Sequence, residues 1–318
     1  MARRQAMPWG WTILVLALVG VSASTLLGWR VWESRQAEAR LRFDRLAERA
    51  VSAVHDRLTR PLYGLRGARA LYAASERVTR AEFAAFVAAR DLPIEFPGVR
   101  GFGVIRWVGR ADLPHLIATE RADDAPDFAV RTGGEAEDCF VITVIEPAAR
   151  NRPAIGLDIG SEARRRAAAE AAVASGGPAL SRSVVLVQDG RQGPGFLLLL
   201  PVFAKGGDGL PGDLVCLVYS PIVVGEIMAG VEVGLEGQAD LLLHDGPSVA
   251  DPVIYDADGA TDLATGTPDA ERHPASVHHR VLPVTVADRT LTVQIRATPA
   301  FLVGIDPFLP LAVGVGGS

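Results

Sequence analysis

The side chains able to do chemistry in this sequence do not assemble into a catalytic set. No serine sits in a Gly-x-Ser-x-Gly elbow, and no Gly-rich loop ending in Lys-Ser or Lys-Thr is present to cradle a phosphate. Glu146, beside Pro147, has no second carboxylate at a suggestive spacing. Gly101-Phe102-Gly103 begins like a dinucleotide loop, but Arg106 holds the place of the third glycine and no strand precedes it. His273, His278 and His279 lack a Cys, Asp or Glu at ligand spacing and read as a solvated loop. Asp256-Ala257-Asp258-Gly259 lacks the later oxygens of a calcium loop and reads as a turn. Cys139 and Cys216, the only cysteines, each lie in an apolar strand run. Outside the cytoplasm they could pair; equally, they could remain small buried hydrophobes. The expectation is a chain with no enzyme activity, cofactor or metal of its own.

What remains is a surface able to hold something. The stretch from Asp138 to Phe203 reads as strand, helix and two further strands, with Asp189-Gly190 supplying positive φ angles in a long hairpin link. Strand alternation places Phe140, Ile142 and Val144 on one face, with Glu137 at the strand entrance, and Phe196, Leu198 and Leu200 on one face of the last strand. A small planar ligand fits between such walls, because ligand sites are mostly apolar with a few placed polar groups. The alternative is that the apolar residues are plain core and Glu137 a solvated carboxylate. Asp158 and Glu162 read as caps of the helix that follows them.

The elements that position this stretch begin at a membrane. From Gln5 to Trp29 there is no charged side chain, a run long enough to cross a bilayer, and Trp9, Trp11, Trp29 and Trp32 stand at its ends. Residues 1–8 are then a cytoplasmic N-terminus and 9–29 a transmembrane helix; a cleaved signal peptide would have a shorter apolar core. Residues 30–78 continue as a helix, with Val51, Val54, Leu58, Leu62 and Leu65 at three-four spacing and Pro61 as a kink. That seam reads as the stalk of a homodimer, or as an ordinary helix packed on its own domain. Thr79-Arg80-Ala81-Glu82 has the spacing of a capping box, opening another helix at Phe83. At the far end, residues 301–318 look like the start of a second span. The net charge of −5 argues against a nucleic-acid partner, and Lys205 is the only lysine, the coding habit of a GC-rich bacterial genome.

In order, FPGVRGFGVIRWV from Phe96, CFVITVIEPAARN from Cys139, AIGLDIGSEARRRAAAEAAVASGGPALS from Ala154 and a hairpin into GFLLLLPVF from Gly195 resemble the CHASE domain. That family is an extracellular sensory module associated with cyclases and histidine kinases, and the resemblance covers roughly 83–220. It implies an α/β (α+β) fold: a long N-terminal stalk helix, then two PAS-like units with antiparallel sheets. The membrane-distal unit is expected over 79–212 and a proximal unit over 213–300, the latter built from DLVCLVYS at Asp213, a helix from Pro221 to Val231, LLLHD at Leu241, and strands near 281–286 and 290–296. The resemblance to cytokinin-binding members carries the polar contacts to a ligand onto Glu137 and Ser181. Cys139 and Val141 stand where a tyrosine and a proline are expected, and Ser181 where plant members have threonine.

The sequence thus predicts the periplasmic input segment of a receptor in a bacterial inner membrane. It would bind a small molecule, adenine-like or a peptide, and signal to a cytoplasmic output domain. The alternative is a membrane-anchored module that binds another envelope protein.

Overall fold

A computed structural model describes residues 9–186, 193–205, 211–259, 263 and 278–303. The chain opens with one helix of 66 residues, α1 (Trp9–Ala74). An 18-residue window near its start has a mean hydropathy of 1.9 and is wholly unburied, so this part is long and apolar enough to cross a membrane. Next come α2 (Arg80–Ala88), α3 (Leu92–Glu95), β1 (Phe102–Gly109), α4 (Leu113–Ala122), β2 (Asp138–Glu146), α5 (Ala148–Asn151) and α6 (Ala163–Ser175). Then β3 (Ala179–Leu180), β4 (Val184–Val185), β5 (Pro194–Lys205) and β6 (Pro211–Val223) lead to α7 (Val224–Ile227) and α8 (Val231–Leu235). β7 (Ala239–His244), β8 (Val253–Asp256), β9 (His279–Val286), β10 (Arg289–Ala297) and α9 (Pro299–Val303) complete the described elements.

The strands form two sheets, all of their pairs antiparallel. One has the order β2-β1-β6-β5-β3 with β4 also on β5; the other has the order β8-β7-β10-β9. The mixed helical and antiparallel architecture with a long leading helix is therefore as the sequence predicts. One placement is corrected. DLVCLVYS lies in β6, which pairs with both β1 and β5, so it is an inner strand of the first sheet and does not open the second unit. Its residues carry apolar side chains to both faces, as a strand covered on two sides must. The expected helix from Pro221 is replaced at its start by the end of that strand and then by two short helices, α7 and α8.

Beyond the apolar span, α1 forms one wall shared by both sheets. Phe43, Leu46, Ala50, Val54, Leu58, Leu65 and Ala68 are buried, and they share one core with Phe102, Phe196 and Val218 of the first sheet and Leu241, Val284, Leu291 and Val293 of the second. Val51 and Leu62 are partly buried against it. The seam expected to face a second copy is thus turned onto the chain's own domain: burial there removes far more apolar surface than a two-helix contact would. The helix passes through Pro61 and ends at Ala74, short of the expected 78. Gly64 is needed where the Phe102 ring presses on the helix, since any Cβ there would collide with it. Polar ties add to the apolar ones: Arg57 donates to the carbonyls of Ile227 and Ala229, and Arg280 pairs with Asp44 at 2.5 Å.

The capping box is present in full, with Thr79 and Glu82 bonded reciprocally at the start of α2. Between α4 and β2, Arg131 makes an isolated bridge to Leu157. The Asp189-Gly190 link, His273 and the expected second span beyond residue 303 lie outside the described residues.

Candidate ligand-binding site

The first sheet buries apolar side chains on both faces, and strand alternation decides which residue goes to which. On β5, Phe196, Leu198, Leu200 and Val202 face the α1 side, whereas Leu197 and Leu199 face α6. On β2, a bulge opposite Val104 and Ile105 leaves Thr143 without a register partner, so the side chains before and after it change sides. Phe140 and Ile142 consequently join the α6 face and Val144 the α1 face. The expected pocket walls are therefore separated by the sheet itself. Phe196, Leu198 and Leu200 pack against α1 as core, while Phe140 and Ile142 stay on the face where a helix could cover a ligand.

That second face is lined by Ile105, Phe140, Ile142, Leu197, Leu199, Leu217 and Tyr219 and roofed by α6 through Ala168, Ala169 and Ala172. Alanines suit this roof because they let the helix lie close to the strands. α6 is well fixed at both ends: Glu162 accepts from the backbone N–H groups of Arg164 and Arg165, and Gly176 takes the left-handed conformation at the C-cap. Asp158 caps differently from expectation. Its buried carboxylate accepts from Gly160 N–H but also from Phe140 N–H and the Thr132 hydroxyl, at 2.7–2.9 Å, and so clamps β2 to the loop before α6.

One end of this face carries an aromatic and ionic group. The Trp107 ring lies parallel to Phe140 with centroids 5.8 Å apart, and the Arg166 guanidinium sits 5.5 Å from the Phe140 centroid. Asp138 accepts from Trp107 Nε1 at 2.5 Å and pairs with Arg166 at 2.8 Å. The Trp107 and then the Arg166 hydrogen bonds hold the Asp138 carboxyl below its ordinary range, because both favour the charged form.

The middle of the face holds two polar atoms that lack hydrogen bonds. The Tyr219 side chain is fully buried and its hydroxyl has no partner; Nε of Arg165 is likewise buried and donates to nothing, with Glu162 Oε2 3.9 Å away. Burial pushes the Tyr219 phenol upward, so it stays a neutral O–H donor, and the Arg165 charge acts on it in the opposite sense. Its ring fits because Gly103 stands opposite on β1, where a side chain would strike it. Two buried donors left without acceptors in an apolar core are costly, and such groups call for an explanation.

The other expected site residues are used within the protein. Ser181 is 1% exposed, and its hydroxyl accepts from Leu197 N–H and donates to the Arg182 carbonyl, so neither function is open to a ligand. Glu137 is exposed at the entrance to β2, with its carbonyl accepting from Arg110 N–H. Both cysteines are free and buried, and burial pushes the Cys216 thiol up to about 12, so it is inert. His278, expected in a solvated loop, is buried between the rings of Phe43 and Phe301. Asp256 and Asp258 come within 4.8 Å of Asp240, although none of the three is free of other partners. Tyr219, Arg165 and Trp107 escaped notice because strand order and helix phase alone bring them together. The only local signal was the run Arg164-Arg165-Arg166 on an otherwise alanine-rich helix.

No curated protein matches the chain significantly. Among solved structures, an extracellular ligand binding receptor from Desulfohalobium retbaense is 13% identical with a TM-score of 0.50, aligned over 80% of this chain. The chain spans 40% of the length of that receptor, and the two share a fold. Two others align more loosely. The ligand-binding domain of the Pseudomonas aeruginosa amino acid chemoreceptor PctC, in complex with GABA, is 14% identical at a TM-score of 0.47, over 80% of this chain and 98% of that one. The Vibrio cholerae LuxQ periplasmic domain is 10% identical at 0.33, over 83% and 99%. The CHASE domain model matches residues 76–255, which takes in all of the first sheet and β7 and most of β8 of the second. The two-sheet fold on a leading helix and this match over more than half the sequence agree: the chain belongs to the CHASE domain family.

Proposed function

We propose that this chain is the extracytoplasmic sensory segment of a bacterial inner-membrane receptor, and that its small-molecule ligand binds on the α6-covered face of the first sheet. The observation that carries the site is the pair of buried donors, Tyr219 O–H and Arg165 Nε, unpartnered beside the apolar core under α6. Both donate, so the complementary group is a hydrogen-bond acceptor, best a carboxylate or another anion, which would also balance the arginine charge in a low-dielectric setting. Phe140 and Ile142 supply apolar wall, and Trp107, Asp138 and Arg166 hold one end of this face in shape. The larger expectation of a ligand between Phe140 and Phe196 gives way to this one-sided site.

A ligand that prefers one arrangement of α6 over another biases the whole domain by that difference in affinity. The response would leave through α1, which joins both sheets to the apolar span, toward a cytoplasmic output domain. A second copy, in a dimeric receptor, would meet the outward face of α1, where Tyr63 and Leu41 are exposed, and not the seam at Val54, Leu58 and Leu65.

A thermal-shift screen of the full chain in detergent, using small carboxylates, short peptides and adenine derivatives, tests this reading, because native-state binding raises stability by mass action. A saturable shift that Arg165→Met and Tyr219→Phe abolish, in proteins that remain folded, is the expected result. A shift untouched by both substitutions would move the site elsewhere. No shift with any compound would favour the second reading, a module that binds another envelope protein.

A further inference from the structure

The segment running from β3 to β4, Leu180 to Val185, is held from two directions at once. From the ligand side, Arg164 Nη1 donates to the Ser183 carbonyl at 2.8 Å and Arg165 Nη2 to the Val185 carbonyl at 2.7 Å. From the side of the second sheet come three further bonds, braced by a fourth between two of their partners. Asp288, in the β9–β10 turn, accepts from Leu180 N–H at 2.8 Å, and Asp245, just past β7, accepts from Ser183 N–H at 2.9 Å. Arg289, at the start of β10, donates to the Ser181 carbonyl at 2.6 Å and to Asp245 Oδ1 at 2.8 Å. The Asp245 and Arg289 side chains are only 5% and 16% exposed. Breaking a buried, hydrogen-bonded charge pair leaves a charge uncompensated, so this junction is rigid or it is open, with little between.

The second sheet is in turn fastened to α1 on the same strands. His55 Nδ1 lies 3.1 Å from the Thr285 carbonyl, Arg280 pairs with Asp44, and Val284, Val286 and Leu291 share the core with the helix. Thr285 and Asp288 are three residues apart along one hairpin.

We infer that Leu180–Val185 is a strap, latched by Asp245, Asp288 and Arg289, that couples the position of α6 to the second sheet and so to α1. The inference rests on reading the α6-covered face as the ligand site, and it assigns that site its route of transmission. A ligand acceptor that draws Arg165 inward pulls on the Val185 carbonyl, and the latch passes the displacement to the β9–β10 hairpin. Nothing covalent is involved; the device works by keeping the two sheets in one of two registers.

The test uses hydrogen–deuterium exchange on the full chain and needs no ligand, so it stands whether or not the ligand reading does. Arg165→Ala, or the more exposed Arg164→Ala, releases the strap from α6. Exchange should rise up to about tenfold, the scale of one net hydrogen bond, both in residues 180–186 and in the hairpin turn at 284–291. In an Asp288→Ala, Arg289→Met background, which removes both bonds from the hairpin to the strap, the same substitutions should still loosen 180–186 but leave 284–291 unchanged. Should the double variant not fold, Asp288→Ala alone removes the Leu180 bond from a turn and should reduce the spread to 284–291. The inference is overturned if the α6 substitutions never reach 284–291, or if they reach it equally with and without the latch.

Discussion

The two sheets obey the same alternation and put it to different use. In the first, both faces are apolar: one packs on α1, the other is closed by α6 and keeps two donors unpaired. In the second, Leu241, Leu243, Val293 and Ile295 turn to α1, while Asp240, His244, Thr292 and Gln294 turn the other way. His244, Gln294 and Thr292 find partners: His244 bonds to the Asp251 carbonyl and to Gln294, and Thr292 to the Gly246 carbonyl. A satisfied polar face rigidifies and offers nothing to a ligand, whereas an apolar face with orphaned donors is incomplete on its own. Within one chain, the two sheets are told apart by how the polar groups on their second faces are partnered.

The largest expected effect would come from breaking what the sheets share. Leu58→Ala, in the core common to both, should destabilise by about 2–5 kcal/mol, and urea unfolding should lower both sheets together in one transition. Two separate transitions would show that the sheets are independent units resting on one helix. Next, Ala169→Leu overfills the roof of the α6 face and should cost about 1–3 kcal/mol. The change should appear in Trp107 fluorescence with hydrogen exchange in β7 and β10 unaltered; a matching loss in the second sheet would erase the distinction drawn here. Tyr219→Phe removes a buried hydroxyl that has no partner, and should stabilise the unliganded protein by about 1 kcal/mol while removing the response to ligand. If it destabilises instead, the hydroxyl has a structural partner and the site is not poised for a ligand.

The smallest effect concerns acid. Asp138 is held below its ordinary range by Trp107 and Arg166, so its ionised form binds the folded state better. This contribution is complete above the carboxylate's unfolded value, about 4, and is lost as pH falls through the lower folded value. Trp107 fluorescence should therefore change on acidification below that point, and Asp138→Asn should remove the change. An identical acid profile in the variant would detach the ionic group from the aromatic pair.

Much of this architecture was legible from local pattern. The apolar run and seam of α1, the capping box at Thr79, and the strands around Val141, Leu198 and Leu242 follow from spacing that a short window contains. What escaped depends on pairing. Nothing local says that β6 crosses back between β1 and β5, and with that strand misplaced, Tyr219 went to the wrong unit. The bulge at Thr143 is equally silent, yet it sends Ile142 and Val144 to opposite faces. The α1 seam was read for its spacing, which is the same whether a helix meets a twin or its own sheet. Ser181 shows the limit of carrying a role over by position, since its hydroxyl is committed to Leu197 and Arg182.

A consequence follows from the unbroken course of α1. At 1.5 Å per residue, the part beyond Trp29 is a rod of about 70 Å. The sheets grip this rod from Phe43 to Ala68, a stretch that includes Pro61, and below Phe43 the helix runs on without a proline into the apolar span. The length that projects past the lowest core contact, from Phe43 to Trp29, is about 20 Å, so a tilt of about 5° of the gripped part would carry the membrane end through about 2 Å beyond that contact. A short projection keeps the apolar span coupled to the domain's orientation with little room for the helix to bend between them.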